Sequence, residues 1–233
     1  MVGVIINVVT VILGASIGLL FKKKISDRIS KAVMVGLGVC TLYIGISGSL
    51  EGENVIVAIV SIVLGVIIGS LLNIDDAITN LSKKVEYKFK KEDDSTSIAE
   101  GLLTSTLLFC VGSMTITGSI QAGINGDNSL LITKAMLDFV SAMMLASSLG
   151  IGVLFSSVSV FLIQGSLVLL SWVIAPVLSS AAINEITCVG SLLIIMIGTN
   201  LMGITKIKVA DFLPAILLAP FIYYLISLLP IIA

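Results

Sequence analysis

A chain of 233 residues that is 57% hydrophobic and only 12% charged departs from soluble domains, where about 25% of residues carry charge. Its mean hydropathy of +1.18 and repeated apolar runs of about 20 residues leave no room for a separate soluble domain; they indicate one integral membrane domain over 1–233. The absence of histidine excludes histidine metal ligands, general bases and proton relays together.

Eight apolar segments follow in order: Val2–Phe21, Ala32–Leu50, Val55–Leu72, Ile98–Ile120, Ala135–Phe155, Val158–Leu178, Ile186–Ile204 and Phe212–Leu229. The first has no basic residues before it, and Lys22, Lys23 and Lys24 come after it. It therefore reads as a spanning helix and not as a signal peptide. If the segments alternate, one side of the membrane receives the connections 22–31, 73–97, the tight link near Ser156-Ser157, and 205–211. Twelve of the thirteen Lys and Arg fall on that side, and only Lys134 on the other. The positive-inside rule then places those connections in the cytoplasm and both termini outside.

The connection 73–97 is the longest polar stretch. Ile74, Ala77, Ile78, Leu81, Val85 and Phe89 recur at helical spacing, which predicts an interfacial helix with lysines toward anionic headgroups. A docking site for a soluble partner is the other reading. Val8–Leu20 aligns without gaps to Ile59–Leu71, with identical glycines at Gly14/Gly65 and Gly18/Gly69. Cys40–Ser49 matches Cys110–Ser119 more weakly. The pattern suggests two copies of a helical hairpin, roughly 1–54 and 55–128, in parallel orientation. The paired GxxxG patterns predict close packing against each other or against a second copy of the chain. Cys188-Val189-Gly190-Ser191 repeats Cys110-Val111-Gly112-Ser113 in order. The two segments would run oppositely, so this reads as a chance match. Cys40, Cys110 and Cys188 all fall in apolar runs and read as small packing residues.

Polar groups inside the spans need a reason. Gly112, Ser113, Thr115, Thr117, Gly118, Ser119 and Gln121 crowd the fourth segment. Hydroxyls can back-bond to helix carbonyls in a tightly packed helix; glycines bracketing them also suit a helix break lining a cavity. Asp138 lies one turn into the expected fifth segment, four residues after Lys134. Either the two charges compensate near a helix end, or Asp138 faces a polar cavity as a cation or proton site. Gln164, Asn200 and Asn7 are further in-span amides. Glu100, Glu185 and Asp211 sit at expected span ends, and Pro214 and Pro220 should kink the last span.

No HExxH or Walker A sequence is present, and the chain is expected to be neither an enzyme nor an ATPase, and to need no cofactor or metal. The motifs TITGSIQAGINGD at 115–127, KAMLDFVSAMMLASSLGIGVLFSSVSVFLIQG at 134–165 and GTNLMGITKIKVADFLPAIL at 198–217 resemble the bacterial membrane family called domain of unknown function 554. The resemblance runs over nearly the whole chain. It implies an all-helical protein of the bacterial inner membrane and carries over no site residues.

The expected fold is thus an all-α polytopic bundle of about eight spans. The expected function is a small secondary transporter or channel for an ion or small polar solute, with Na⁺ or a proton as the coupling or transported ion. Its site would lie between segments four and five: Asp138 supplies charge, Ser113, Thr115, Thr117, Ser119 and Gln121 supply oxygens or hydrogen bonds, and Gln164 and Asn200 assist. The alternative is a non-transporting adaptor or sensor acting through 73–97. The lipid bilayer is a partner in either case, a homo-oligomer is expected, and nucleic acid is not.

Overall fold

The computed structural model describes residues 1–22, 27–80, 97–176 and 178–228, without the side chains of 22, 27–30 and 113. The described residues contain α1 (Val2–Lys22), α2 (Asp27–Ser49), α3 (Val55–Leu72), α4 (74–80), α5 (Ile98–Cys110), α6 (Ser113–Ile124), α7 (Ser129–Leu149), α8 (Gly152–Leu169), the single turn α9 (Ser171–Ile174), α10 (Ser180–Leu201) and α11 (Pro214–Ser227). There is no strand among them. Local chemistry sets the ends. Asn54 Oδ1 accepts from Ile56 N to start α3, and Ser179 Oγ accepts from Ala182 N to start α10. Gly150, at φ 77°, stops α7 in a backbone region that side chains disfavour. Most of the predicted amphipathic stretch, 81–96, lies outside the described residues.

Among the described residues seven helices are long and apolar enough to cross a membrane, and α5 with α6 form a further pair bent by 59°. Helix directions settle what the bent pair does. A Cβ added at Gly3 would meet Leu131, one at Gly14 the Phe139 carbonyl, and one at Gly18 the Met143 carbonyl, so α1 and α7 run parallel. Parallel helices need an odd number of crossings between them; α2 and α3 supply two, and the bent pair is the third. The antiparallel contacts agree. Gly38 meets Gly198 while Gly48 meets Ser191, and Gly65 meets Ala215 while Gly69 meets Asp211. The bent pair also tracks α8 from end to end, with Gly101 against Gly152 and Gly123 against Val168. It is one broken span, giving eight crossings among the described residues.

Two expectations are corrected. The fifth segment is Ser129–Leu149, six residues earlier than read, and the tight link is Gly150-Ile151. Ser156 and Ser157 are buried inside α8. The GxxxG copies do not pack on each other: Gly14 and Gly18 receive α7, while Gly65 and Gly69 receive Ala215 and Asp211 of the same chain. Because glycine carries no Cβ, the backbones can touch, which gives the close van der Waals packing that drives helix association in lipid. Pro214 opens α11 at its first turn, where a missing N–H costs nothing, and Pro220 lies within it.

The largest buried cluster joins α1, α5, α7, α8 and α10 around Val11, Leu107, Phe109, Leu145, Leu149, Val160 and Leu193. Two acids at its margins hold loops. Glu185 Oε1 accepts from the backbone N–H of Glu53 (2.8 Å) and Asn54 (2.7 Å), and the residue is fully buried. Asp211 Oδ1 accepts from Asp75 N (2.9 Å) at the start of α4. Glu185→Ala leaves both loop N–H groups without their acceptor. It is expected to cost about 1–3 kcal/mol in detergent unfolding, and Glu185→Gln, which keeps a carbonyl acceptor, should cost less.

Candidate functional site

Because α7 begins at Ser129, Asp138 is the tenth of its 21 residues. At 1.5 Å per residue it lies about 14 Å from the start of a span about 31 Å long. Asp138 is therefore near mid-span, and Lys134, one turn nearer the start of the helix, reaches it from the second turn. Lys134 Nζ donates to Asp138 Oδ2 at 2.5 Å, and each residue is 5% exposed. The i,i+4 pairing holds, and so does burial away from the ends.

Two distant helices complete the group. Asn7 Nδ2, from α1, donates to Asp138 Oδ2 at 2.9 Å and to Gln164 Oε1, from α8, at 3.2 Å. Asn7 and Gln164 are both fully buried. Lys134 Nζ also lies 6.0 Å from the centroid of the Phe109 ring, at the end of α5 and at the limit of cation–π range. Four crossings (α1, the broken span, α7 and α8) thus converge on one ion pair and two amides. Of the four polar residues, two lie outside the site expected from sequence: Lys134, which reads there as a compensating charge near a helix end, and Asn7. Its 131-residue separation from Asp138 leaves no local signal.

The break falls at Val111-Gly112, and the hydroxyls lie on α6 beyond it. Thr115 Oγ1 donates to Phe109 O at 3.0 Å, covering a carbonyl that the break frees. Val111 packs where a Cβ on Gly190 would be, so the two Cys-Val-Gly-Ser motifs meet in space. Ser119 is fully buried, and its Oγ has no partner among the described residues; the same holds for Gln164 Nε2. Because α6 and α8 run parallel with Gly123 against Val168, Ser119 and Gln164, one turn earlier on each, sit at the same level. Thr117 and Gln121 are half-buried on α6. The Ser113 side chain lies outside the described residues.

Asn200 is separate from this group. Its Oδ1 accepts from Ile207 N (2.9 Å) and Thr205 Oγ1 (2.7 Å), and its Nδ2 donates to Ile207 O (2.8 Å). All of its amide pins the 202–208 loop, which turns at Gly203 (φ 73°). Asn200 also borders a cavity of about 240 Å³ lined by Asp75, Thr79, Ser97, Glu100 and Thr104, on the face that carries Lys206 and Lys208. Burial, then the neighbouring Asp211 carboxylate, hold the Asp75 carboxyl above its usual range. The exposed Lys208–Asp76 pair at 2.9 Å raises the lysine. Among the described residues no group of three or more acidic or sulfur side chains is placed to hold a metal ion.

The chain is 35% identical over 230 residues to the "Uncharacterized membrane protein YdfK" of Bacillus subtilis (strain 168), covering 97% of each. It is 30% identical over 221 residues to the "Uncharacterized protein YqgA" of Escherichia coli (strain K12), covering 94% of each. No solved structure matches it. A family described as "Protein of unknown function (DUF554)" matches residues 2–224, and with its eight helical crossings the chain belongs to that membrane-protein family.

Proposed function

We propose that the protein is a small secondary transporter for an ion or small polar solute, with its site at Asn7, Lys134, Asp138 and Gln164. The observation that carries this reading is a charged pair and two amides, from three helices, buried near mid-span beside a broken fourth. Each charged residue at such a depth costs about 2.5–3.5 kcal/mol on insertion scales. Broken spans expose backbone polar groups that a membrane tolerates only where protein or a cavity receives them. The cavity beside Glu100 and Thr104 supports the same reading, because it adjoins α5, whose other end is the break. A path from one face to the buried group would then need α6 or α8 to move.

The test is uptake of labelled Na⁺ and small neutral and anionic solutes into liposomes under a Na⁺ or proton gradient. Asp138→Asn, Lys134→Met and Gln164→Leu are each expected to cut flux by about tenfold or more. Lys208→Met, in an exposed pair, should leave it intact. Undiminished flux in all three buried variants would sink the proposal. Loss of function on deleting 81–96, with those three variants active, would favour an adaptor acting through the 73–97 connection.

A further inference from the structure

Among the described residues the buried group leaves two donors short of acceptors. Asp138 Oδ2 already receives Asn7 and Lys134, and Gln164 Oε1 receives Asn7. Left over are the Gln164 Nε2 amide, on a fully buried side chain and without a partner, and the remaining N–H bonds of the Lys134 ammonium, for which one acceptor is seen. A cation at Asp138 would sit against the ammonium that already holds Oδ2, at a cost in like-charge repulsion. A ligand that satisfies this group must bring acceptor oxygens. It must also carry one negative charge if it is to replace Asp138 opposite Lys134, since a neutral ligand would leave the ammonium uncompensated and a dianion would add a charge.

Resting on the site proposed above, we infer that the substrate is a small monocarboxylate and that it moves with a proton. The ligand carboxylate displaces Asp138 from Lys134 and takes the Gln164 amide as its second donor. Asp138, released from the ammonium, accepts a proton from solution and becomes a neutral acid that Asn7 can still bond. The balance is one carboxylate and one proton in, with an ammonium–carboxylate pair before and after and no net charge added. The titratable groups facing Asp138 are Lys134 on its own helix and the Cys110 thiol at the end of α5; α1 and α8 present the neutral amides Asn7 and Gln164. The orphan Ser119 Oγ, level with Gln164, supplies a further hydrogen bond on the α6 side.

The experiment uses the full-length protein in detergent. Thermal stability is measured with sodium lactate, choline lactate, sodium glycolate, sodium chloride and glycerol, and proton uptake is followed with a pH dye in weak buffer. The lactate and glycolate salts are expected to stabilise whichever cation accompanies them, with about one proton taken up per carboxylate bound. Asp138→Asn should bind lactate without proton uptake, and Gln164→Leu should weaken binding about tenfold. Stabilisation by carboxylate with no proton uptake overturns the exchange, and no stabilisation by either acid overturns the inference entirely. A shift with sodium chloride or glycerol that Asp138→Asn abolishes removes the carboxylate while leaving the site in place. If no ligand acts through Asp138, both the inference and the proposed site fall.

Discussion

Asp138→Leu alone is expected to destabilise the protein by about 3–5 kcal/mol, and Lys134→Met added to it should recover most of that loss. The single change strands an ammonium near mid-span. It also leaves Asn7 Nδ2 with Gln164 Oε1 as its one remaining acceptor. Lys134→Met alone strands the carboxylate, which keeps only the Asn7 amide as a named donor. The double variant replaces an ion pair with apolar groups of similar length in an apolar surround, where the desolvation cost of two charges disappears with their attraction. The measurement is a double-mutant cycle by reversible unfolding in mixed micelles. Losses that simply add would mean that the two charges do not depend on one another, contrary to the 2.5 Å contact.

The second large effect belongs to Gly14 and Gly69. A Cβ on Gly14 would strike the Phe139 carbonyl oxygen, and one on Gly69 the Asp211 carbonyl oxygen. Backbone cannot swing aside as a long side chain can, so Gly14→Ala must push α1 from α7, and Gly69→Ala must push α3 from the 3-10 turn Val209–Phe212 that leads into α11. Each is expected to lose about 1–3 kcal/mol. Gly36→Ala, with nothing within 4 Å, should be neutral or gain about 0.5–1 kcal/mol from helix propensity. Since both close contacts lie within one chain, the losses should not depend on protein concentration. A concentration-dependent loss would show that the glycines serve an interface between copies.

The spans themselves were legible because eight runs of Val, Ile and Leu are separated by lysine clusters and short polar turns. The break near Gly112 was legible too, from glycines placed among hydroxyls. The fifth span was misplaced because Lys134 looks like the border residue lysine normally is. Its burial is supported by Asp138 and, through it, by Asn7 and Gln164, and only the fold brings those groups together. The glycine pattern announced close approach but could not name the partner, since any backbone fits against a missing side chain. Asn200 reads in the sequence as an in-span amide because the apolar run continues to Ile204, whereas the helix ends one residue after Asn200 and the loop it pins carries no strong turn signal beyond Gly203. Glu185 was read as an ordinary end charge. The two backbone N–H groups it receives come from residues 131 and 132 positions away.

The pairing of α1 with α7, α2 with α10 and α3 with α11 has a consequence for how the chain is made. These are the most extensive contacts of the first three helices, so each finds its main neighbour only in the second half of the chain. Asn7 waits 131 residues for Asp138, or roughly 7–26 s at a synthesis rate of about 5–20 residues per second. During that interval a fully buried amide and the bare backbone of Gly14 and Gly18 face lipid or the insertion machinery. The N-terminal half therefore enters the bilayer as separate helices and is locked only when the C-terminal half arrives, so a ribosome stalled before Ser129 leaves a product with no core to fold around.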